Sequence, residues 1–128
     1  MTGMIVRRKE EVKIVDWGNG LSYRFLLQGD RMGFTVCHTV VRAGTKSRLE
    51  YRRHLEACYC IAGRGWVSTA DGSTAHELLP GVLYALDEHD AHFLIAAPDV
   101  DLELISVFNP PLQGDERHTL DEDAFSQY

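Results

Sequence analysis

The sequence predicts an all-β protein, a sandwich or barrel built from short strands. Three observations carry that reading. Polar and apolar residues alternate with period two in short runs, as over residues 22–28 and 33–41. Glycine, asparagine and proline signals part these runs every 8–12 residues or so, with Asp71-Gly72 the strongest hairpin signal. No segment holds a 3.6-residue periodicity long enough for a convincing long helix.

Taken in order, residues 4–7 read as a first strand behind a frayed extension at 1–3. Asp16, Trp17, Gly18, Asn19 and Gly20 read as a turn, because glycine and asparagine tolerate positive φ. Over 22–28, Ser22, Arg24, Leu26 and Gln28 share one face, and Tyr23, Phe25 and Leu27 the other. Residues 33–41 set Phe34, Val36, His38 and Val40 against Thr35, Cys37, Thr39 and Val41. Ala43-Gly44-Thr45 turns into the central stretch, where Glu56, Cys58 and Cys60 oppose Ala57, Tyr59 and Ile61.

Further strands are expected at 66–69, 76–79, 82–86, 92–96 and 102–108, with turns at Gly63-Arg64-Gly65 and Pro80-Gly81. Asn109-Pro110-Pro111 ends the last one, since proline donates no ladder hydrogen bond. That makes about ten strands. Ser22, Arg24, Thr39, Glu56, Cys58, Cys60, Ser106 and Phe108 are expected to face the interior together. The claim is a joint one, because a one-residue register slip turns a whole set outward. Residues 112–128 are acidic and poor in apolar side chains: a frayed tail, or a flap over the barrel mouth.

Composition narrows the function classes. At 128 residues the chain is a single domain spanning 1–128. No apolar run is long enough for a membrane-spanning helix. The N-terminus lacks a signal pattern, which gives a cytoplasmic expectation. The net charge of −6 and scattered basic residues argue against a nucleic-acid partner. Cys37, Cys58 and Cys60 are expected to be free thiols, since two cysteines on one face of a strand make poor disulfide geometry. His38 reads as a satisfied core histidine, His76 as surface and Arg52-Arg53 as a solvated pair. Tyr23, Phe25 and Phe34 read as core or dimer contacts.

Glu56, Tyr84 and His92 are candidate metal ligands by residue type. Carboxylate and imidazole suit iron or zinc, and a phenolate favours iron. Their spacing alone is a weak signal.

The interval from Gly44 to Glu56, then on to Gly63, resembles the first motif of the cupins, and the run ending at His92 resembles the second. The resemblance implies a cupin barrel, a double-stranded, jelly-roll-like β-helix of two antiparallel sheets. Glu50 and Arg52 stand where two histidines are usual, so a three-histidine metal site cannot be built. A more specific series runs from Met4 to about His118. Its strongest pieces are His54-Leu55-Glu56-Ala57, Tyr59-Cys60-Ile61, Leu83-Tyr84, His89-Asp90 with His92, and Val107-Phe108-Asn109-Pro110-Pro111-Leu112 followed by Gly114, Glu116 and His118. This ordered series resembles the ectoine synthase family.

That resemblance implies iron held by Glu56, Tyr84 and His92, and a substrate pocket with Ser22, Arg24, Thr39, Tyr51, His54, Phe108, Glu116 and His118. It implies water-eliminating ring closure of N-acetyl-2,4-diaminobutyrate to ectoine. Tyr51, His54, Tyr84 and Glu116 are the expected catalytic residues. Ser22, Arg24, Thr39, Phe108 and His118 are the expected substrate contacts. Gly20 stands where the family has tryptophan, Cys37 replaces a usual polar residue, Ser106 replaces a cysteine, and 119–128 do not match the family ending. A homodimer is expected, with strand edges near 4–7 or in the 20s and 30s capped by a partner. Two other readings stay open: a related metal-dependent cupin enzyme acting on another small substrate, and a non-catalytic solute-binding cupin.

Overall fold

The computed structural model describes residues 3–120 and 124–128. Eleven strands are present among them: β1 (Lys13–Asp16), β2 (Gly20–Leu26), β3 (Thr35–Val41), β4 (Lys46–Glu50), β5 (Leu55–Ala62), β6 (Gly65–Thr69), β7 (Ala75–Leu78), β8 (Leu83–Leu86), β9 (His92–Ala96), β10 (Leu102–Asn109) and β11 (Ser126–Gln127). Among the described residues the helical elements are two 3-10 turns, Lys9–Glu11 and Gln28–Asp30. No helix is long and apolar enough to cross a membrane among the described residues.

The strands form two sheets, ordered β1-β2-β3-β10-β5-β8 and β11-β4-β9-β6-β7. All pairings are antiparallel except that of β11, which lies parallel to β4. Period-two alternation explains which faces meet. Val41, Cys58, Cys60, Leu102 and Leu104 of one sheet pack with Leu49, Val67, Leu78, Leu94 and Ala96 of the other. A second cluster toward one end joins Cys37, Tyr51, Leu86, Phe108 and Leu112.

The structure corrects the sequence reading in four places. Residues 4–7 form no strand. Met4 and Val6 stand 84% and 81% exposed, and Arg7 is held instead by Asp30 (2.6 and 2.7 Å) and the Phe25 carbonyl. The first strand is β1, in a stretch to which no element was assigned. The polar β4 also escaped the pattern. Its Ser47 and Leu49 point inward, while Lys46 and Arg48 lie over the Phe93 ring at 4.5 and 5.2 Å. Finally, alternation in β2 stops at Arg24, because a register shift lies between Arg24 and Leu26. Leu26 and Gln28 therefore do not join Ser22 and Arg24 in the interior.

The expected interior set is otherwise inward. Ser22, Arg24, Glu56, Cys58, Cys60, Ser106 and Phe108 are buried, and Thr39 lines the internal cavity with several of them. His38 sits on the outer face, half-buried and paired with Glu103 at 2.9 Å, so it is satisfied without being in the core. His76 is exposed. Of the extension read at 1–3, residues 1 and 2 lie outside the described residues, as do 121–123 of the tail.

The described part of the tail packs onto the barrel. Leu112 is 1% exposed, its N–H donates to Thr35 Oγ1 at 2.8 Å, and its carbonyl accepts from Gln28 N–H at 2.8 Å. Burial predicts sharply different costs along the chain. Leu102→Ala removes a fully buried side chain between the sheets and should cost about 2–5 kcal/mol. Val6→Ala should change stability by less than about 0.5 kcal/mol. Urea unfolding midpoints of the two variants measure both.

Candidate active site and metal centre

Strands β5 and β8 pair so that Cys58 lies opposite Tyr84 and Glu56 opposite Leu86. Glu56 and Tyr84 are thus diagonal neighbours on the inward face. His92 opens β9 in the facing sheet, and its ring centroid lies 6.5 Å from that of Tyr84. Glu56 and Tyr84 line an internal cavity with Ser22, Thr39, Tyr51, Ser106, Phe108, His118 and Tyr128. The cavity is small, about 20 Å³ as swept by the centre of a water molecule, which is space for about one water.

Three polar groups here are buried at a cost the protein does not itself offset. The Glu56 carboxyl, 6% exposed, is pushed up to about 8 by loss of solvation, against a smaller opposing hydrogen bond from Cys58. Burial also raises the Tyr84 phenol and lowers the His92 imidazole. His92 Nδ1–H donates to the Asp90 carbonyl at 2.9 Å, which leaves Nε2 with its lone pair free. Among the described residues, Tyr84 Oη and His92 Nε2 are buried without a hydrogen-bond partner.

A carboxylate, a phenol and an imidazole lone pair fit a divalent first-row cation. The His92 tautomer is already fixed by a second hydrogen bond, as metal-bound histidines generally are. No three His, Cys, Asp or Glu side chains converge as a metal site among the described residues. A site built here therefore needs the phenol.

Beside these donors runs a second polar chain. Tyr51 Oη lies 2.9 Å from His118 Nε2, and His118 Nδ1 lies 2.9 Å from Ser126 Oγ. Tyr51 stands edge-on to Phe108 at 5.1 Å and to Tyr128 at 5.0 Å. His54 donates from Nδ1 to the Pro110 carbonyl at 2.7 Å, so its Nε2 is an acceptor.

Not every expected pocket residue lines the cavity. Arg24, 2% exposed, binds the Gly114 carbonyl at 2.9 Å and the Glu116 carbonyl. The Glu116 carboxylate accepts from the Gln113 and Gly114 N–H groups, each at 2.8 Å, and lies 3.8 Å from Arg24. This pair locks the tail to β2 at the edge of the site. Cys37 packs with Tyr51 and Phe108 behind the cavity wall, while Ser106 lies in it, 2.9 Å from Thr39 Oγ1. The three cysteines are free and buried.

Four site residues escaped sequence reasoning. Trp17 lines the cavity beside Gly20, where an added Cβ would fall 1.7 Å from the Val40 carbonyl oxygen and 3.1 Å from the indole. Bare backbone at position 20 thus leaves the wall to Trp17. Ser126 and Tyr128 come from the polar tail, which carried no pattern. His89, at φ 58, aims Nδ1 at the Tyr51 and His54 carbonyls (2.9 and 3.0 Å) and pins the turn bearing both. Its place three residues before His92, in the quoted run His89-Asp90, was the available signal.

Burial lowers the His118 imidazole to about 3. A histidine depressed on folding stabilises the docked tail above its ordinary value of 6.5, and that contribution fades as pH falls from about 6.5 toward 3. Glu56, raised to about 8, acts in the opposite sense between its ordinary 4.5 and 8, so a global unfolding curve mixes the two. The local reporter is the Thr119 amide, which donates to Ser126 Oγ at 2.8 Å. Its hydrogen-exchange protection should drop between pH 7 and pH 5, and His118→Asn should flatten that dependence.

The family model described as ectoine synthase matches residues 4–126, so residues 119–126, expected to depart from the family ending, lie within the match. An L-ectoine synthase of Wolinella succinogenes is 45% identical over 121 residues, covering 90% of this chain and 91% of that protein. The crystal structure of ectoine synthase from P. lautus superposes with a TM-score of 0.80 at 39% identity, over 87% of this chain and 81% of that one. The Schizosaccharomyces pombe Cnp3 cupin domain, at 7% identity and a TM-score of 0.66, covers 83% of this chain and 74% of its own, and shows the cupin fold alone. With the match running through both sheets and through Glu56, Tyr84 and His92, the chain belongs to the ectoine synthase family.

Proposed function

We propose that this protein is a metal-dependent ectoine synthase, a hydro-lyase that closes N-acetyl-L-2,4-diaminobutyrate into ectoine. The observation that carries the metal is the pair of buried, partnerless donors, Tyr84 Oη and His92 Nε2, beside the buried Glu56 carboxyl. These three residues would hold the cation. The phenol favours iron (Fe2+) over zinc among divalent ions. When bound, the cation supplies Lewis-acid polarisation of the amide carbonyl.

The protein's own groups account for the remaining demands. The attacking amine must lose its proton, and Tyr51 and the free Nε2 of His54 are the nearby acceptors. Ser22 and Thr39 offer hydroxyls on the cavity wall, and Phe108 offers an apolar one. The carboxylate of Glu116 keeps lone pairs for the substrate ammonium beyond the two N–H bonds it accepts. Arg24 supplies positive charge for the substrate carboxylate, and His118 a contact through Tyr51. Folding the flexible substrate so that nitrogen meets carbon lowers the entropic part of the barrier.

The cavity as it stands is too small for that substrate, so entry requires the flap at 112–128 to lift. Tyr128, whose ring lies 4.4 Å from that of His118, is the part that must leave. The exposed Leu55, Tyr59, Ile61, Leu83 and Val107 on the outer face of β5, β8 and β10 fit a homodimer contact. Free buried thiols agree with a cytoplasmic setting.

Two variants separate the roles. Glu56→Ala should abolish bound iron, read by metal analysis of the purified protein. Glu116→Gln should leave bound iron unchanged while lowering activity roughly 10²-fold. The direct assay incubates the iron-loaded protein with the acetylated diamine and looks for ectoine. No product with any divalent metal would move the assignment to a related cupin enzyme with another small substrate.

A further inference from the structure

The C-terminal strand brings one hydroxyl into the site, and the ring closure gives it a task. Ser126 pairs through its backbone with Leu49 of β4 and is 6% exposed. Its Oγ accepts the Thr119 N–H at 2.8 Å and lies 2.9 Å from His118 Nδ1. On the far side of that imidazole, Nε2 lies 2.9 Å from Tyr51 Oη. The three side chains form one buried file from the tail to the cavity.

A neutral imidazole carries one proton, so the file has two arrangements. In one, Nδ1–H donates to Ser126 Oγ, and Nε2 accepts the Tyr51 hydroxyl proton. In the other, the Ser126 hydroxyl donates to Nδ1, and Nε2–H donates to Tyr51. The first turns the lone pairs of Tyr51 toward the cavity; the second turns its hydroxyl proton there. The proposed reaction selects between them. It joins the attacking nitrogen to the amide carbon, replaces the amide C=O by the C=N of the cyclic amidine, changes no oxidation state, and moves two protons from the attacking nitrogen to the departing oxygen, which leaves as water. Tyr51 serves that transfer by taking an amine proton while passing its own to His118, and then by reversing the path.

We propose that Ser126 is a positioning residue, holding the His118 proton on Nδ1 so that Nε2 stands as an acceptor behind Tyr51. The role rests on the functional reading above for its chemistry, but the tautomer itself does not. Tail docking is then part of catalysis as well as closure, because the file is complete only when β11 is paired. Strand β11 thus carries Ser126 into the same file as the pocket residues Tyr51 and His118.

Two measurements test it. In the metal-loaded full-length protein, long-range 1H–15N spectra of the histidine rings should give His118 as the Nδ1–H tautomer. Ser126→Ala should shift it toward Nε2–H, and Ser126→Thr should keep it. Kinetically, Ser126→Ala should lower kcat about 10–100-fold with KM within about twofold, and Ser126→Thr should restore most of the rate. A tail that merely closes the site would move KM instead. An Nε2–H tautomer in the wild type overturns the proposal, as does a loss carried wholly by KM or an unchanged kcat. A wild type that makes no ectoine defeats the functional reading, and the histidine spectra still decide the role of Ser126.

Discussion

A carboxyl group buried without a counter-charge is one of the most costly things a small protein can contain. This barrel holds one in Glu56, pushed up to about 8 by loss of solvation, and sets beside it a phenol and an imidazole nitrogen with no partners. Hydrophobic residues of similar size would stabilise the fold better at all three positions. In the function proposed above, a cation would supply the missing half of that interaction. Much of the local architecture serves to keep those donors dry and fixed, from the Asp90 carbonyl that sets the His92 tautomer to the Phe108 wall.

The topology explains how residues distant in sequence reach this point. Glu56 and Tyr84 come from paired edge-side strands of one sheet, and His92 from the start of a central strand in the other. The barrel mouth is then closed by the tail, tied down through Arg24 to the Gly114 and Glu116 carbonyls. Tethering by backbone carbonyls and a two-residue strand is weak beside the eight-residue pairing of β10 and β5. The tail is therefore held less firmly than the central strands.

Legibility in the sequence followed the physics of each segment. Where one face is buried and the other wet, the alternation was plain, and it set Glu56, Cys58 and Cys60 together on the face that proves to be inward. Strand β4 was missed because its outward residues are cations stacked on Phe93, a partner remote in sequence. Residues 4–7 are apolar and β-branched enough to read as a strand but find no ladder. The tail was read as frayed or flap because its buried groups, His118 and Ser126, are polar and satisfied by each other. Composition cannot register that kind of burial. The three proposed donors were candidates by residue type but stood out only through the family resemblance, since Glu, Tyr and His at those spacings are individually unremarkable.

X-ray absorption at the iron edge of the loaded protein tests the central claim most directly. The account predicts one cation per chain with a single imidazole and otherwise oxygen donors, at bond lengths of roughly 2.0–2.2 Å. The phenolate of Tyr84 should be lost from that shell in Tyr84→Phe. A shell with two or more imidazoles, or one unchanged in Tyr84→Phe, would contradict it.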